Sequence, residues 1–426
     1  MERNDPRYQA YVEILKEELI PAMGCTEPIA LAYAAAKARE VLGVLPDSVQ
    51  LQVSGSIIKN VKSVIVPNTG HLKGMEAAVA AGIIAGSAEK ELEVISEVSE
   101  EKKSAIRDYL QTVPITIEHT EQGHVFDIVV TERCGQDYAR VRIADYHTNI
   151  CRIEKNGTVL YEVPLLDETV QEDARADRSL LNMQDIWDFA ETADLRDVAD
   201  LLERQIRYNN AIAEEGLLGD YGANIGRVLL TTYGNDVSNR AKAKAAAGSD
   251  ARMNGCELPV IINSGSGNQG ITCSVPLIEY AKELHSGKEK LYRALIISNL
   301  VAIHEKTGIG TLSAYCGAVS AGAGAGAGIV YLCGDGYQAA IHTVVNALAI
   351  VSGIVCDGAK ASCAAKIASS VDAALLGYNM YKCKQEFKGG DGIVMKDIET
   401  TIKGIGRLGK DGMRQTNEEI IRLMMS

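Results

Sequence analysis

The sequence predicts an α+β protein in which a smaller α/β sheet domain near the N-terminus is joined to a larger, mainly helical domain. Three observations carry this. Short β-rich runs separated by turn residues crowd the stretch 115–164. Breaker-free helical patterns precede them and dominate everything after about residue 178. The 426 residues include 40 glycines but only three Phe and one Trp, which points to close backbone packing rather than aromatic filling.

Taken in order, 7–20 and 27–43 read as two helices flanking a turn at Cys25. The second has Thr26 as its expected N-cap and Pro28 in its first turn, where the missing N–H costs nothing. "LQVSGSI" and "KSVIVP" read as strands with a turn at Lys59-Asn60 between them, "KGMEAAVAAGIIAG" as a helix, "ELEVIS" as a short strand and "EEKKSAIRDYL" as a polar helix. The runs "ITIEHT", "HVFDIVVTE", "YARVRIAD", "TNICRIEK" and "TVLYEVP" then form a sheet, with turns at 121–123 and at Asn156-Gly157. Beyond it lie a long amphipathic helix over 186–217, a basic-alanine helix around 237–248, and an extended run leading through "SGSGNQG" into another helix. That glycine loop has the form of a backbone N–H anion cradle, although an ordinary Gly/Ser loop reads the same way. The expected division is 1–50, N-terminal helices packing on the larger domain; 51–165, the sheet domain; and 166–426, the helical domain.

The bulk properties exclude several classes. A formal net charge of −13 argues against a nucleic-acid partner, which calls for a basic footprint. "MERNDPRYQA" has no apolar segment behind a basic patch, so a cytoplasmic location is expected. Ten cysteines in such a chain suggest metal binding or catalysis rather than a disulfide framework. Residues 314–333 and 337–356 are free of Asp, Glu, Lys and Arg, but their Gly/Ala content, His342 and Asn346 favour a buried helical hairpin over a membrane one. A homodimer is the base-rate expectation.

Cys25, in "PAMGCTEP", sits at the positive end of a helix dipole, where thiolate is favoured; a small apolar residue at a helix start is the plainer reading. Cys316, in "SAYCGAVSAG", and Cys356 and Cys363, in "SGIVCDGAKASCAAKIASS", are flanked by Gly, Ala and Ser. They are either ligands of a bulky group or small residues of a tight helical core, with a helix expected to begin at Asp357-Gly358. Cys134 and Cys151 read as structural.

Together, "PAMGCTEP", "VPNTG", "SGSGNQGI", "AYCGA" and "CDGAKASCAAKIASS" resemble the L-cysteine desulfidase family, which is related to the catalytic chain of bacterial iron–sulfur L-serine dehydratases. The resemblance spans nearly the whole chain. It implies a [4Fe-4S] cluster on Cys316, Cys356 and Cys363 with one iron left for substrate, and Cys25 as the proton acceptor. The helical domain is then an iron–sulfur catalytic domain, and the partner is a small amino acid. Such an iron can bind the substrate carboxylate and the β-leaving atom while a positioned base takes the Cα proton. The implied reaction is α,β-elimination on L-cysteine to pyruvate, ammonia and sulfide. L-serine dehydration is the alternative substrate reading, and a non-enzymatic iron–sulfur protein the alternative class.

Candidate substrate contacts are Glu27 for the ammonium and Asn268 for the carboxylate, with Thr26, Asn68 and Thr69 as further polar candidates. Each has a plainer reading, as a cap, a dipole complement or an Asx-turn. Lys360 and Lys366 either offset cluster charge or lie exposed on a helix. His71, His304 and His342 have no ligand spacing. Cys273 or Cys333 as a fourth ligand would close the iron site.

Overall fold

Eight strands form two sheets in the computed structural model, which describes residues 1–120, 124–165, 175–310 and 312–425. They are β1 (Pro21–Met23), β2 (Ser48–Ser54), β3 (Ile115–Thr120), β4 (Asp127–Cys134), β5 (Asp137–Ala144), β6 (Ile150–Lys155), β7 (Thr158–Glu162) and β8 (Pro259–Ile261). The larger sheet runs β3-β2-β4-β5-β6-β7, with β2 and β3 parallel and the remaining neighbours antiparallel. Alternate residues of β5 (Ala139, Val141, Ile143) are buried under the helix Thr26–Leu42, which also packs on β4 and on the helix Gly74–Ala85. This one-sided burial is what the period-2 pattern encodes. The expected turn at 121–123 lies outside the described residues, and the expected boundary at 165/166 adjoins another undescribed stretch, 166–174.

The expectations fail where burial is complete. "SGSIIKNV" is not the end of a strand and a turn but the helix Gly55–Val61, all seven residues of which are buried. "KSVIVP" contributes only an isolated bridge, Ile65 to Lys73. A helix buried on every side, polar residues included, has no amphipathic periodicity to read. "ELEVIS" enters a 3-10 segment, Ala88–Glu93. The long helix over 186–217 is two, Met183–Thr192 and Ala199–Leu218, split where Asp194 accepts the Arg196 N–H and caps a short 3-10 turn.

The helical region is built around Gly317–Cys333, which packs against Gly267–Glu283, Lys288–Ile309, Tyr337–Val351 and Cys363–Lys382. Its glycines permit the approach. A Cβ on Gly324 would lie 2.4 Å from the Ser298 carbonyl oxygen. The two charge-free stretches are therefore a core hairpin, and among the described residues no helix is long and apolar enough to cross a membrane. One continuous core joins the sheet to the helices.

Candidate active site

Three short pairings gather the chemistry. β1 pairs antiparallel with β8, setting the turn at Cys25 against the glycine loop after β8. An antiparallel bridge, Tyr315 to Val355, sets Cys316 beside Cys356; the Cys316 N–H donates to the Ile354 carbonyl at 3.1 Å and the Cys356 N–H to that of Ala314 at 2.6 Å. The helix Gly55–Val61 supports the loop that follows. Gly358, at φ +93°, lies so close that a Cβ would meet the Lys59 carbonyl oxygen at 2.2 Å. Cys25, Cys316, Cys356 and Cys363 thus line one cavity of about 110 Å³, with Glu27, Asn60, Arg252, Asn268, Gln269 and Lys306 among its walls. A larger, shallow groove beside Arg39 and Gly86 has no cysteine or histidine in its lining.

At one end, Cys25 is the N-cap of Thr26–Leu42, so Thr26 is the first helical residue and not the expected cap. Gly24, at φ +54°, makes the turn against Pro67; a Cβ there would lie 2.8 Å from the proline ring. The Cys25 thiol donates to Glu27 Oε2 at 3.0 Å, and Asn60 Nδ2 donates to Glu27 Oε1 at 2.9 Å. Burial, and then the Glu27 carboxylate, push the Cys25 thiol well above its ordinary range, against the pull of Arg252. The dipole expectation of a thiolate is corrected accordingly: desolvation in a closed cavity outweighs a partial charge. Burial alone would also raise the Glu27 carboxyl, but the His147 imidazole, 4.0 Å from Oε1, and the Cys25 thiol hold it down at about 2.

At the other end, Cys316 is the N-cap of Gly317–Cys333, and Cys363 opens Cys363–Lys382; the helix expected from Asp357-Gly358 starts there instead. Burial and the neighbouring Cys356 push the Cys316 thiol up to about 12, and burial raises that of Cys363. The Lys306 side chain, in a residue 7% exposed, has no hydrogen-bond or ion-pair partner among the described residues, and burial draws its ammonium down to about 8. Lys360 and Lys366 both pair with Asp357, and Lys366 also donates to the Val355 carbonyl at 2.9 Å, so they hold the loop that presents Cys356.

The other expectations divide. Asn268 lines the cavity, and its Oδ1 is buried without a partner. Thr26 does not line it; its hydroxyl donates to the Gly265 carbonyl at 3.0 Å, tying the helix start to the glycine loop. Asn68 and Thr69 are corrected to loop-holding residues. Asn68 Nδ2 donates to the Ile95 carbonyl at 2.8 Å and the Thr69 hydroxyl to that of Val66 at 2.7 Å, and neither residue lines the cavity. Cys273 packs against Ala302 and Ala321 away from the cavity, and Cys333 lies exposed at the far end of its helix, so neither can be a fourth ligand. His304 pairs with Glu399 and His342 with Glu386.

Sequence reasoning missed Asn60, Arg252, Gln269, Lys306 and His147. Lys306 reads as a last-turn lysine complementing the dipole, and His147 as a turn residue between β5 and β6. Only the position of Gln269 in the glycine loop offered a signal.

A family model described as the serine dehydratase alpha chain matches residues 89–422. A UPF0597 protein of Desulfitobacterium hafniense is 61% identical over 426 residues, covering 100% of this chain and 99% of the relative. Others from Lachnoclostridium phytofermentans (52% identical; 98% of this chain, 100% of the relative) and Treponema denticola (46% identical; 100% of each) also match end to end. With most of its length inside that family model, the chain belongs to the serine dehydratase alpha chain family.

Proposed function

We propose that this chain is an iron–sulfur-dependent lyase that eliminates sulfide from L-cysteine, giving pyruvate and ammonia. The observation that carries it is the convergence of Cys25, Cys316, Cys356 and Cys363 on one cavity. Family membership supports a lyase.

The cavity suits a [4Fe-4S] cluster. Cys316, Cys356 and Cys363 would hold it, the unpaired Lys306 ammonium beside them suits an anionic group, and Gly317 and Gly358 keep the walls thin. Among the described residues no three Cys, His, Asp or Glu side chains converge on a single metal ion. When bound, the cluster supplies a Lewis-acidic iron toward which a β-thiol or β-hydroxyl can leave.

The protein's own residues supply the rest. Glu27, ionised and buried, suits the substrate ammonium. Cys25 takes the Cα proton; it must act as thiolate, and Arg252 is the cavity group that favours that form. Loss of the Cα proton and of sulfide leaves an aminoacrylate. It tautomerises to an imine, and water converts the imine to pyruvate and ammonia, so L-cysteine and water balance pyruvate, ammonia and hydrogen sulfide. The description of the matching family favours L-serine as the second reading, with water as the leaving group.

The test is pyruvate release from each amino acid by anaerobically purified protein of known iron content. Turnover that tracks iron and favours L-cysteine supports the proposal. Faster turnover of L-serine moves the assignment to the second reading, and turnover without iron rejects both.

A further inference from the structure

We propose that Arg252 grips the α-carboxylate of the substrate, together with the first turn of the helix Gly267–Glu283. The inference rests on the lyase reading of the cavity and narrows its ligand to molecules with a free carboxylate.

Arg252 lies in the last turn of the helix Val237–Met253, where a basic residue ordinarily faces water and complements the dipole. Here it is 2% exposed. A buried guanidinium is costly unless an anion accepts its hydrogen bonds. Among the described residues no carboxylate pairs with Arg252, and its Nε has no hydrogen-bond partner. The fold has nonetheless made room for it. A Cβ on Gly267 would come within 2.3 Å of the Arg252 Nε and 2.8 Å of its Cζ, so only glycine lets the guanidinium lie against this helix start.

The helix start is the second half of the site. Ser266 is its N-cap but provides no side-chain cap, which leaves first-turn N–H groups for an anion. Asn268 and Gln269 also line the cavity, and their buried, unpartnered amide oxygens are acceptors that suit the substrate ammonium rather than its carboxylate. The guanidinium and the uncapped first-turn N–H groups make a fork and a nest for one anion, and a planar carboxylate matches the guanidinium geometry.

The placement separates the two cations of the cavity. Arg252 acts on Cys25, whereas Lys306 lies by Cys316 and Cys356. A carboxylate held by Arg252 sets the Cα hydrogen toward Cys25, and its two oxygens allow a guanidinium contact even if iron takes the other.

The experiment uses anaerobically purified, iron-containing enzyme. Thermal stabilisation by L-alanine, which keeps the carboxylate but has no β-leaving group, is compared with that by L-alaninamide, in the wild type and in Arg252→Met and Arg252→Lys. KM and kcat for L-cysteine and L-serine are measured alongside. The wild type should be stabilised by alanine and not by the amide, and Arg252→Met should lose that response. Its KM should rise about 10- to 100-fold with iron content unchanged and a smaller change in kcat, and Arg252→Lys should recover part of the loss. Equal stabilisation of the wild type by acid and amide overturns the proposal, even if Arg252→Met fails to fold. So does an unchanged KM in a folded Arg252→Met. A wild type that binds alanine through Arg252 but turns over neither amino acid would instead reject the lyase reading and leave the carboxylate site standing.

Discussion

Cys25 and the Cys316–Cys356–Cys363 group share a cavity, yet the charges beside them are opposite in sign. The nearest partner of Cys25 is an anion: its thiol donates to Glu27, which Asn60 holds from the other side. The neighbours of the other three are cations, the unpaired Lys306 and the Lys366 that braces their loop. An anion beside a thiol keeps the proton on sulfur; cations beside thiols favour the thiolates a metal needs. At Cys25 the anion adds to the effect of burial, whereas at Cys316 and Cys363 the nearby lysines work against it.

The most severe way to break that contrast is Cys356→Ser. It should abolish iron binding and lyase activity together, checked by iron and sulfide analysis with circular dichroism to confirm folding. Cys25→Ser should instead keep the iron and lower kcat by about 10²- to 10⁴-fold, the usual worth of a positioned proton-transfer group. Retained iron with unaltered turnover would remove Cys25 from the chemistry.

The pH dependence sharpens the comparison. With its thiol raised by burial and by Glu27, Cys25 is protonated at neutrality, so turnover should climb with pH as thiolate forms. Glu27→Gln removes the neighbouring negative charge and should move the rising limb to lower pH. A wild-type profile that falls above neutrality contradicts the proton-acceptor role.

The smallest effects concern the supports. Gly358→Ala forces a side chain into φ +93° and against the Lys59 carbonyl, and should cost about 1–3 kcal/mol, read as a lower melting temperature. Gly287→Ala has an ordinary φ of −68° and open space, but Gly287 is the N-cap of Lys288–Ile309, where glycine is preferred over alanine, so the two effects offset and the melting temperature should change little. Cys273→Ala should leave iron content unchanged, because its sulfur packs away from the cavity.

What the sequence revealed follows from how each part is buried. Strands β3 and β5 were readable because exposure or burial alternates with the pleat, and turns such as Asn156-Gly157 mark off β6 and β7. Gly55–Val61 was not, since a helix buried on every side carries no period. Within the site, the cysteines stood out through their glycine-rich surroundings. Arg252 and Lys306 did not, because charged residues in the last turns of helices normally face water, and only tertiary packing turned them inward. Asn68 and Thr69 misled for the opposite reason, as polar turn residues whose hydrogen bonds are consumed by their own loop and its neighbour.

The division of labour among the four cysteines is tested most directly by iron analysis of anaerobically purified wild type, Cys25→Ser and Cys356→Ser, measured side by side with pyruvate release. The account predicts about four iron atoms per chain in the wild type and in Cys25→Ser, little in Cys356→Ser, and turnover in the wild type alone. Wild-type protein that forms pyruvate without iron, or a folded Cys25→Ser that has lost its iron, would contradict it.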